Sequence, residues 1–221
     1  MRSATTQTPA EDAPTVLLFL KAPRVGKVKT RLAASIGPLA ALGIYRALAE
    51  GQLQRLPAGW PAEIHFTPAN ALLDMRHWLG ADRSYQPQVN GNLGERLSSA
   101  VQQAFATGAT SVLCIGADCP ALKAKHLEQA ARALASGADI VFGPADDGGY
   151  YLVGLNRPEN AIFKDIPWST DNTLEASLQA ANRLSLRVQI LEPLHDVDTL
   201  EDLRRAVAAG HLPEHFISNF R

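Results

Sequence analysis

Residues 15–31 read TVLLFLKAPRVGKVKTR, a short apolar run that leads directly into a basic loop. The apolar part, Val16–Leu20, has five residues, whereas a membrane-spanning helix needs about 20. The following eleven residues include five basic and no acidic side chains. Because ligands of open α/β sheets bind where strands end, the stretch predicts a first strand followed by a ligand-binding loop.

The rest of the chain alternates short apolar or β-branched runs with longer stretches of helical periodicity. This alternation predicts an α/β fold with a Rossmann-like, mostly parallel central sheet flanked by helices. The predicted strands are Thr15–Leu20, Glu63–Phe66, Ser111–Ile115, Asp139–Phe142, Tyr150–Gly154 and Arg187–Leu191. The predicted helices are Leu39–Leu56, Leu93–Ala106, Lys123–Ala135, Asp171–Leu184 and Thr199–Ala208.

Composition narrows the class of protein. The chain has 221 residues, with 21 basic and 22 acidic side chains, so it lacks the overall positive charge of a nucleic-acid or anionic-membrane binder. Its two cysteines are too few for a disulfide framework, which favours a cytoplasmic location. We expect a disordered leader at 1–14, a single domain at 15–209 and a C-terminal extension of that domain at 210–221.

The basic loop after the first predicted strand is a candidate phosphate site. A loop that enters a helix offers free backbone N–H groups to an anion, and glycine lets the backbone approach it. Solvated surface charge would also explain the basic residues, but their clustering after a strand in a near-neutral protein favours phosphate. The candidate residues are Lys21, Pro23, Arg24, Gly26, Lys27, Lys29, Thr30 and Arg31.

A second candidate loop, Gly116–Leu122, follows the predicted strand that ends at Ile115. The Asp118 carboxylate in it could hold Mg²⁺ or Mn²⁺, which take oxygen ligands and often bridge a carboxylate to substrate phosphates. It could equally form an Asx turn ahead of Pro120. Residue spacing alone leaves both interpretations open.

A third loop, Pro144–Tyr151, carries two acids and two glycines between two predicted strands. Asp-Gly and Gly-Gly are turn formers, so a hairpin explains Gly148 and Gly149. Asp146 or Asp147 could bind acceptor hydroxyls or act as a general base, and we assign the catalytic role to Asp147. With Tyr150, these residues form a candidate acceptor pocket.

A fourth segment, His195–Asp202, leads into the last predicted helix. Asp198 with Glu201 predicts an N-terminal capping arrangement, and Asp198 could also serve as a second metal ligand. Earlier in the chain, Trp168 is a candidate pocket residue, and Ser169 or Thr170 is the expected N-cap of the next helix. We add these three residues to the acceptor pocket.

These segments together resemble a known family. The motifs are Lys21–Leu32, Asn92–Arg96, Gly116–Pro120, Asp146–Tyr151, Trp168–Thr170 and Asp196–Thr199. They resemble a bacterial family of GT-A-fold transferases, some of which are named arsenosugar-biosynthesis glycosyltransferases, in the nucleotide-diphospho-sugar transferase superfamily. The resemblance implies a sheet that binds a nucleotide through its phosphates and a divalent cation.

Two segments are also similar to nucleotidyltransferases of that superfamily. Lys29–Leu32 is similar to the basic loop of 2-phospholactate guanylyltransferase, and Asp118-x-Pro resembles an element of sugar and molybdenum-cofactor nucleotidyltransferases. In those relatives the matching aspartate binds magnesium, and the resemblance implies Asp198 as the other metal ligand. The chain departs from their usual Ala-Ala-Gly turn, since it has Lys21-Ala-Pro23 there.

The sequence therefore predicts a transferase that uses Mg²⁺ or Mn²⁺, a nucleotide-diphospho-sugar donor and a small-molecule acceptor. The predicted metal ligands are Asp118 and Asp198, and Lys29 and Arg31 would stabilise the departing diphosphate. Nucleotidyl transfer with release of pyrophosphate is the alternative within enzymes. A non-catalytic nucleotide-binding module is the alternative from another class.

Overall fold

The structure is a computed structural model that describes residues 13–218. Its strands form one seven-stranded sheet in the order β3-β2-β1-β4-β6-β5-β7. All neighbouring strands are parallel except where β6 pairs with β4 and β5. The strands are β1 Thr15–Lys21, β2 Ala62–Thr67, β3 Ser84–Pro87, β4 Val112–Ile115, β5 Ile140–Pro144, β6 Tyr150–Leu155 and β7 Val188–Ile190.

Within the described residues, seven α-helices connect and cover these strands. They are α1 Thr30–Ile36, α2 Pro38–Gln54, α3 Leu72–Leu79, α4 Leu93–Ala106, α5 Ala124–Ala135, α6 Thr173–Arg183 and α7 Leu200–Ala208. Short 3₁₀ helices lie at Ala69–Ala71, Asn160–Phe163 and Glu214–Phe216. Within residues 13–218, no helix has the length and the apolar character that crossing a bilayer would require.

The sheet has a buried core on each face because side chains alternate along its strands. In β1, Leu18 packs into a core with residues of α2, α3 and α5, whereas Leu17 packs into the opposite core with residues of α4 and α6. A third cluster joins α1, α2 and α7. The mostly parallel α/β fold predicted from the sequence is confirmed.

Each of the six predicted strands and five predicted helices has a counterpart, but one further strand and two further α-helices were not predicted. β3 contains no apolar alternation and ends in proline, and it pairs only with β2 at the edge of the sheet. α1 and α3 have seven and eight residues, too few for a clear helical period. Tertiary packing defines these short elements.

Two predicted helix caps are wrong. Thr199, rather than Asp198, caps α7, and it forms a capping box with Asp202 instead of Glu201. α6 begins at Thr173 with Asn172 as its N-cap residue, so neither Ser169 nor Thr170 occupies that position. The Asp198 carboxylate is therefore not used as a helix cap.

The predicted leader at 1–14 lies outside the described residues except for Ala13 and Pro14, which are buried just before β1. At the other end of the domain, the predicted extension at 210–221 is described as far as Ser218. Its residues Leu212 and Phe216 pack against the cluster formed by α1, α2 and α7.

Candidate functional site

A cleft of about 520 Å³ lies at the carboxyl edge of the sheet. The loops that follow β1 and β4 enter it, as do the β5–β6 turn and the segment between β7 and α7. Because β6 runs antiparallel to β5, its first residue, Tyr150, lies at the same edge. The cleft occupies the position at which open α/β sheets bind their ligands.

Lys29 is the central cation of this cleft. It is the N-cap residue of α1 and has a left-handed backbone, with φ of 46°. Only 4% of its side chain is exposed, and its Nζ lies 2.5 Å from Asp118 Oδ1 and 2.9 Å from Asp198 Oδ1. Burial lowers the pKa of Lys29, but the charges and hydrogen bonds of these two aspartates outweigh burial and raise it. Lys29 is therefore held protonated.

The two aspartates approach Lys29 from different parts of the chain. Asp118 follows β4, and Asp198 lies just before α7. The backbone N–H of Val197 donates to the Asp118 carbonyl at 2.9 Å, which joins the two segments. The guanidinium of Arg31 contacts the second carboxylate oxygen of Asp198. Burial raises the pKa of Asp198, but the contacts with Lys29 and Arg31 lower it by more than burial raises it. The carboxylate therefore stays ionised.

Asp196 and Asp147 add negative charge to the same cleft. Burial, together with the charges of Asp147, Asp118 and Asp198, raises the pKa of Asp196 to about 7. Four acidic side chains thus line the cleft, and two of them, Asp118 and Asp198, form salt bridges with Lys29 or Arg31. Asp196 was not among the candidate site residues predicted from the sequence.

Most of the predicted site residues line the cleft. They are Lys21, Lys29, Thr30, Arg31, Asp118, Asp147, Gly149, Tyr150, Trp168, Ser169, Thr170 and Asp198. Six predicted site residues are not among its lining residues. These are Pro23, Arg24, Gly26, Lys27, Asp146 and Gly148.

Local contacts explain where several of these six residues lie. Arg24 forms a salt bridge with Asp74 of α3 at 2.8 Å, next to a shallow depression away from the cleft. Asp146 contacts the ring of His195. Gly26 has φ of 71°, a conformation that favours glycine, and apart from its chain neighbours no residue of 13–218 has an atom within 4 Å of the position a Cβ would take.

The β5–β6 turn has the hairpin form expected from its two glycines. Asp147 Oδ1 accepts a hydrogen bond from the Gly149 N–H at 2.9 Å, which is an Asx-type turn contact. Gly148 has φ of 82°, and a Cβ there would lie 2.0 Å from the Asp171 carbonyl oxygen. This close approach requires glycine and places the Asp147 side chain at the cleft.

Tyr45 of α2 also lines the cleft, although the sequence offered no signal for it. Its hydroxyl accepts a hydrogen bond from the Lys21 N–H and donates one to the Lys21 carbonyl, both at 2.8 Å. β4 pairs with β1 only as far as Leu18, so Tyr45 supplies partners that a neighbouring strand would otherwise provide. Burial raises the pKa of Tyr45, which keeps its phenol neutral.

The carboxylates of Asp118 and Asp198 fit a small divalent cation. Their oxygens converge on a single nitrogen atom, that of Lys29, so both can reach one small cation. Magnesium is usually held by one or two carboxylates together with substrate phosphates. Among residues 13–218, no group of three or more His, Cys, Asp or Glu side chains is arranged as a complete metal centre.

Residues 52–170 match the family DUF2064, described as "Uncharacterized protein conserved in bacteria". This range includes Asp118, Asp147 and Trp168, whereas the basic loop and Asp198 lie outside it. A comparison with curated proteins finds no match.

Among solved structures, a protein of Desulfovibrio desulfuricans G20 that is provisionally named a nucleotide-diphospho-sugar transferase has 31% sequence identity and a TM-score of 0.84. The match covers 94% of this chain and 92% of that protein.

Two more distant structures share the fold. CMP:2-keto-3-deoxy-manno-octonic acid synthetase complexed with CTP has 11% identity and a TM-score of 0.56, with coverage of 90% of this chain and 100% of the synthetase. A Mycobacterium tuberculosis H37Rv protein in complex with manganese has 14% identity and a TM-score of 0.55. The match covers 89% of this chain and 100% of the Mycobacterium protein.

Proposed function

The chain belongs to the DUF2064 family of bacterial proteins, and we propose that it is a metal-dependent glycosyltransferase with a nucleotide-diphospho-sugar donor and a small-molecule acceptor. The likeness to the Desulfovibrio protein and to the synthetase supports a transferase. The observation that carries the proposal is the contact of buried Lys29 with both Asp118 and Asp198 at the carboxyl edge of the sheet. We propose a cytoplasmic location for this activity.

We assign the donor diphosphate to the cations of the loop after β1. Lys21 and Arg31 line the cleft and have exposed side chains, so they can reach a phosphate there. Lys29 carries a buried positive charge beside them. Fixed cations that face a departing diphosphate stabilise the charge that develops on it, and losing one such contact typically costs about 3–4 kcal/mol of transition-state stabilisation.

In this proposal, Asp118 and Asp198 hold Mg²⁺ or Mn²⁺. The cation supplies further charge neutralisation to the diphosphate when it is bound. Manganese is present in the Mycobacterium structure of the same fold. Until a cation takes their oxygens, both carboxylates contact the Lys29 ammonium.

We assign the acceptor to the part of the cleft near the β5–β6 turn and Trp168. Asp147 has an exposed carboxylate there and is the proposed general base for an acceptor hydroxyl. Tyr150 packs edge-on against Trp168, with ring centroids 6.2 Å apart, and both line the cleft. Ser169 and Thr170 add hydroxyl groups to this side.

A thermal-shift panel of nucleotide sugars and nucleoside triphosphates, each with and without Mn²⁺, tests the proposal. A ligand that binds only the folded state raises the melting temperature. We expect one nucleotide sugar to give a Mn²⁺-dependent shift that Asp118→Asn abolishes. Asp74→Asn is the matched control, because Asp74 has nearly the same exposure as Asp118, 49% against 50%, and forms its salt bridge outside the cleft.

A panel in which no nucleotide sugar shifts the melting temperature would contradict glycosyl transfer. Once a donor is found, release of free nucleoside diphosphate in the presence of acceptor candidates tests turnover. Arsenosugar precursors belong in that acceptor panel, as the resemblance of the six motifs implies.

Nucleotidyl transfer to a phosphorylated small molecule is the second candidate function. It is favoured by the fold shared with the CTP-bound synthetase. The same cations and aspartates would then face the α-phosphate, and pyrophosphate would leave. A Mn²⁺-dependent shift restricted to one triphosphate, with pyrophosphate release in a coupled assay, would select this reaction. Tight nucleotide binding without product from any acceptor would indicate a non-catalytic binding module.

A further inference from the structure

The segment Asn92-Leu-Gly-Glu-Arg96 opens α4 with a complete capping box. The Asn92 side chain accepts a hydrogen bond from the Glu95 N–H at 3.0 Å, and the Glu95 carboxylate accepts one from the Asn92 N–H at 2.7 Å. This reciprocal pair fixes where the helix begins. It thereby places Arg96 in the first turn of α4, beside the cleft.

Gly94 of the same segment lets Trp168 approach the helix closely. A Cβ at Gly94 would lie 2.4 Å from the Phe163 carbonyl oxygen and 2.6 Å from Trp168 Nε1. Trp168 also packs against Phe163 and Tyr150. The start of α4 and Trp168 therefore form one continuous wall of the cleft.

Arg96 is a cation of this wall, and among residues 13–218 it has no acidic partner. Its Nε donates to the Gly91 carbonyl oxygen at 3.0 Å, which anchors the guanidinium and leaves both terminal nitrogens available. No carboxylate of residues 13–218 forms a salt bridge with it. Lys29 and Arg31, in contrast, are both paired with aspartates. An anchored guanidinium is suited to binding a carboxylate or phosphate in bidentate fashion.

Several apolar side chains share the cleft with Arg96. Leu93 is 41% exposed although it begins a helix that packs on the sheet. Apolar and aromatic side chains of this part of the cleft come from β1, α4, β6 and the loop before α6. They are Phe19, Leu93, Tyr150 and Trp168, whereas Leu97 and Val153, which also line the cleft, are buried in the core. A ligand body with an apolar face would cover this surface.

We propose that Arg96 and Trp168 form the acceptor subsite, and that the acceptor carries an anionic group, phosphate or carboxylate, on a body with an apolar face. The terminal nitrogens of Arg96 bind the anion, and the Trp168 wall contacts the body. This inference rests on the proposed transferase function. It names the chemical class of the acceptor and gives the Asn92–Arg96 motif its role.

Isothermal titration with small probes tests the subsite. The probes are phenyl phosphate, benzoate and neutral benzyl alcohol, titrated into the full chain with Mn²⁺ and pyrophosphate present to occupy the loop after β1. We expect one or both anions to bind and benzyl alcohol to bind at least tenfold more weakly. Arg96→Gln should lower the affinity for the anion by about 10- to 100-fold, the range that the loss of a charge-assisted hydrogen bond gives. Phenyl phosphate and benzoate distinguish a phosphate acceptor from a carboxylate acceptor.

Two further variants control the experiment. Arg83→Gln is the matched control, since Arg83 also donates its Nε to a backbone carbonyl, that of Leu79, but lies outside the cleft. It should bind the anion as the wild type does. Arg96→Lys keeps the charge without the planar fork and should have intermediate affinity.

Equal anion affinity in wild type and Arg96→Gln would overturn the inference, and so would benzyl alcohol binding as tightly as the anions. Failure of the wild type to bind either anion would also overturn it. Failure of the proposed function appears separately, as the absence of any Mn²⁺-dependent binding of pyrophosphate. The two results are therefore distinguishable.

Discussion

The Nζ atom of Lys29 lies 2.5 Å from Oδ1 of Asp118, although the two residues belong to loops after different strands. The same nitrogen contacts Asp198, so one buried ammonium holds two carboxylates that are suited to binding a cation. Lys29 and a divalent cation would therefore seek the same oxygens. In the proposed function, the phosphates of a nucleotide would offer Lys29 another partner.

We expect Lys29→Met to tighten Mn²⁺ binding in the absence of nucleotide by about tenfold or more. A neighbouring unit charge within about 4–6 Å shifts a proton affinity by 1–3 pKa units, and the effect on a divalent cation should be at least as large. Electron paramagnetic resonance of free Mn²⁺ measures the affinity. Lys125→Met is the control, because Lys125 pairs with Glu192 away from the cleft. Unchanged or weaker Mn²⁺ binding in Lys29→Met would contradict competition for the carboxylates.

Tyr45→Phe should destabilise the end of β1. The substitution removes the hydroxyl that pairs with both backbone groups of Lys21, and unsatisfied buried polar groups cost about 1–3 kcal/mol. Urea denaturation should show a loss of this size in the free energy of unfolding. Tyr85→Phe is the comparison, since its hydroxyl bonds the Gly80 carbonyl at an exposed position, and we expect a smaller loss. Equal losses would argue against the special position of Tyr45.

Gly94→Ala should destabilise the protein by about 1–3 kcal/mol, the usual cost of overpacking. The new methyl group would meet the Phe163 carbonyl oxygen, which is backbone and cannot move freely. Gly43→Ala is the matched control in another helix, because in the described part of the chain nothing outside its own helix backbone and chain neighbours lies within 4 Å of a Cβ there. The free energy of unfolding of that variant should rise by about 0.5–1 kcal/mol, because alanine has a higher helix propensity than glycine. Similar changes in both variants would mean that Gly94 is not tightly packed against Trp168.

His126 should make the stability of the domain fall in mild acid. It is 2% exposed; its Nδ1 accepts the Lys123 N–H at 2.9 Å and its Nε2 lies 2.8 Å from Glu192 Oε1. The ring is therefore neutral, with the proton on Nε2. Burial and the charge of Lys125 lower the pKa of His126, and the hydrogen bond and charge of Glu192 only partly oppose this shift.

The folded-state pKa of His126 lies below the unfolded-state value of about 6.5. The contribution of the neutral ring to the free energy of unfolding is therefore complete at a pH above the unfolded-state value. This contribution is lost as the pH falls from the unfolded-state pKa through the folded-state pKa, because the unfolded chain takes up the proton first. The free energy of unfolding from pH 7.5 to 5 should therefore fall more steeply in the wild type than in His126→Gln. His77→Gln, at an exposed position of α3, should keep the wild-type slope. Parallel slopes for all three proteins would refute this role.

The local periodicity of the sequence was enough to predict the α/β class, six strands and five helices. Apolar side chains repeat with the period of the element that buries them, and this information lies within each segment. The strand ends predicted from the sequence also gave the positions of the loops that meet at the cleft, including those of Asp118 and Asp147. β3 was missed because its place at the edge of the sheet depends on pairing with β2.

The pairing of individual site residues depended on the tertiary structure. Nothing in the spacing shows that Lys29 lies between Asp118 and Asp198, that Arg24 pairs with Asp74 instead, or that Tyr45 holds the end of β1. Such contacts depend on the strand order and on the side chains that neighbouring loops bring to the same edge. The sequence by itself determined which segments meet at the cleft, because short-range periodicity and turn residues encode strand ends. The three-dimensional packing alone decided which side chains of those segments meet.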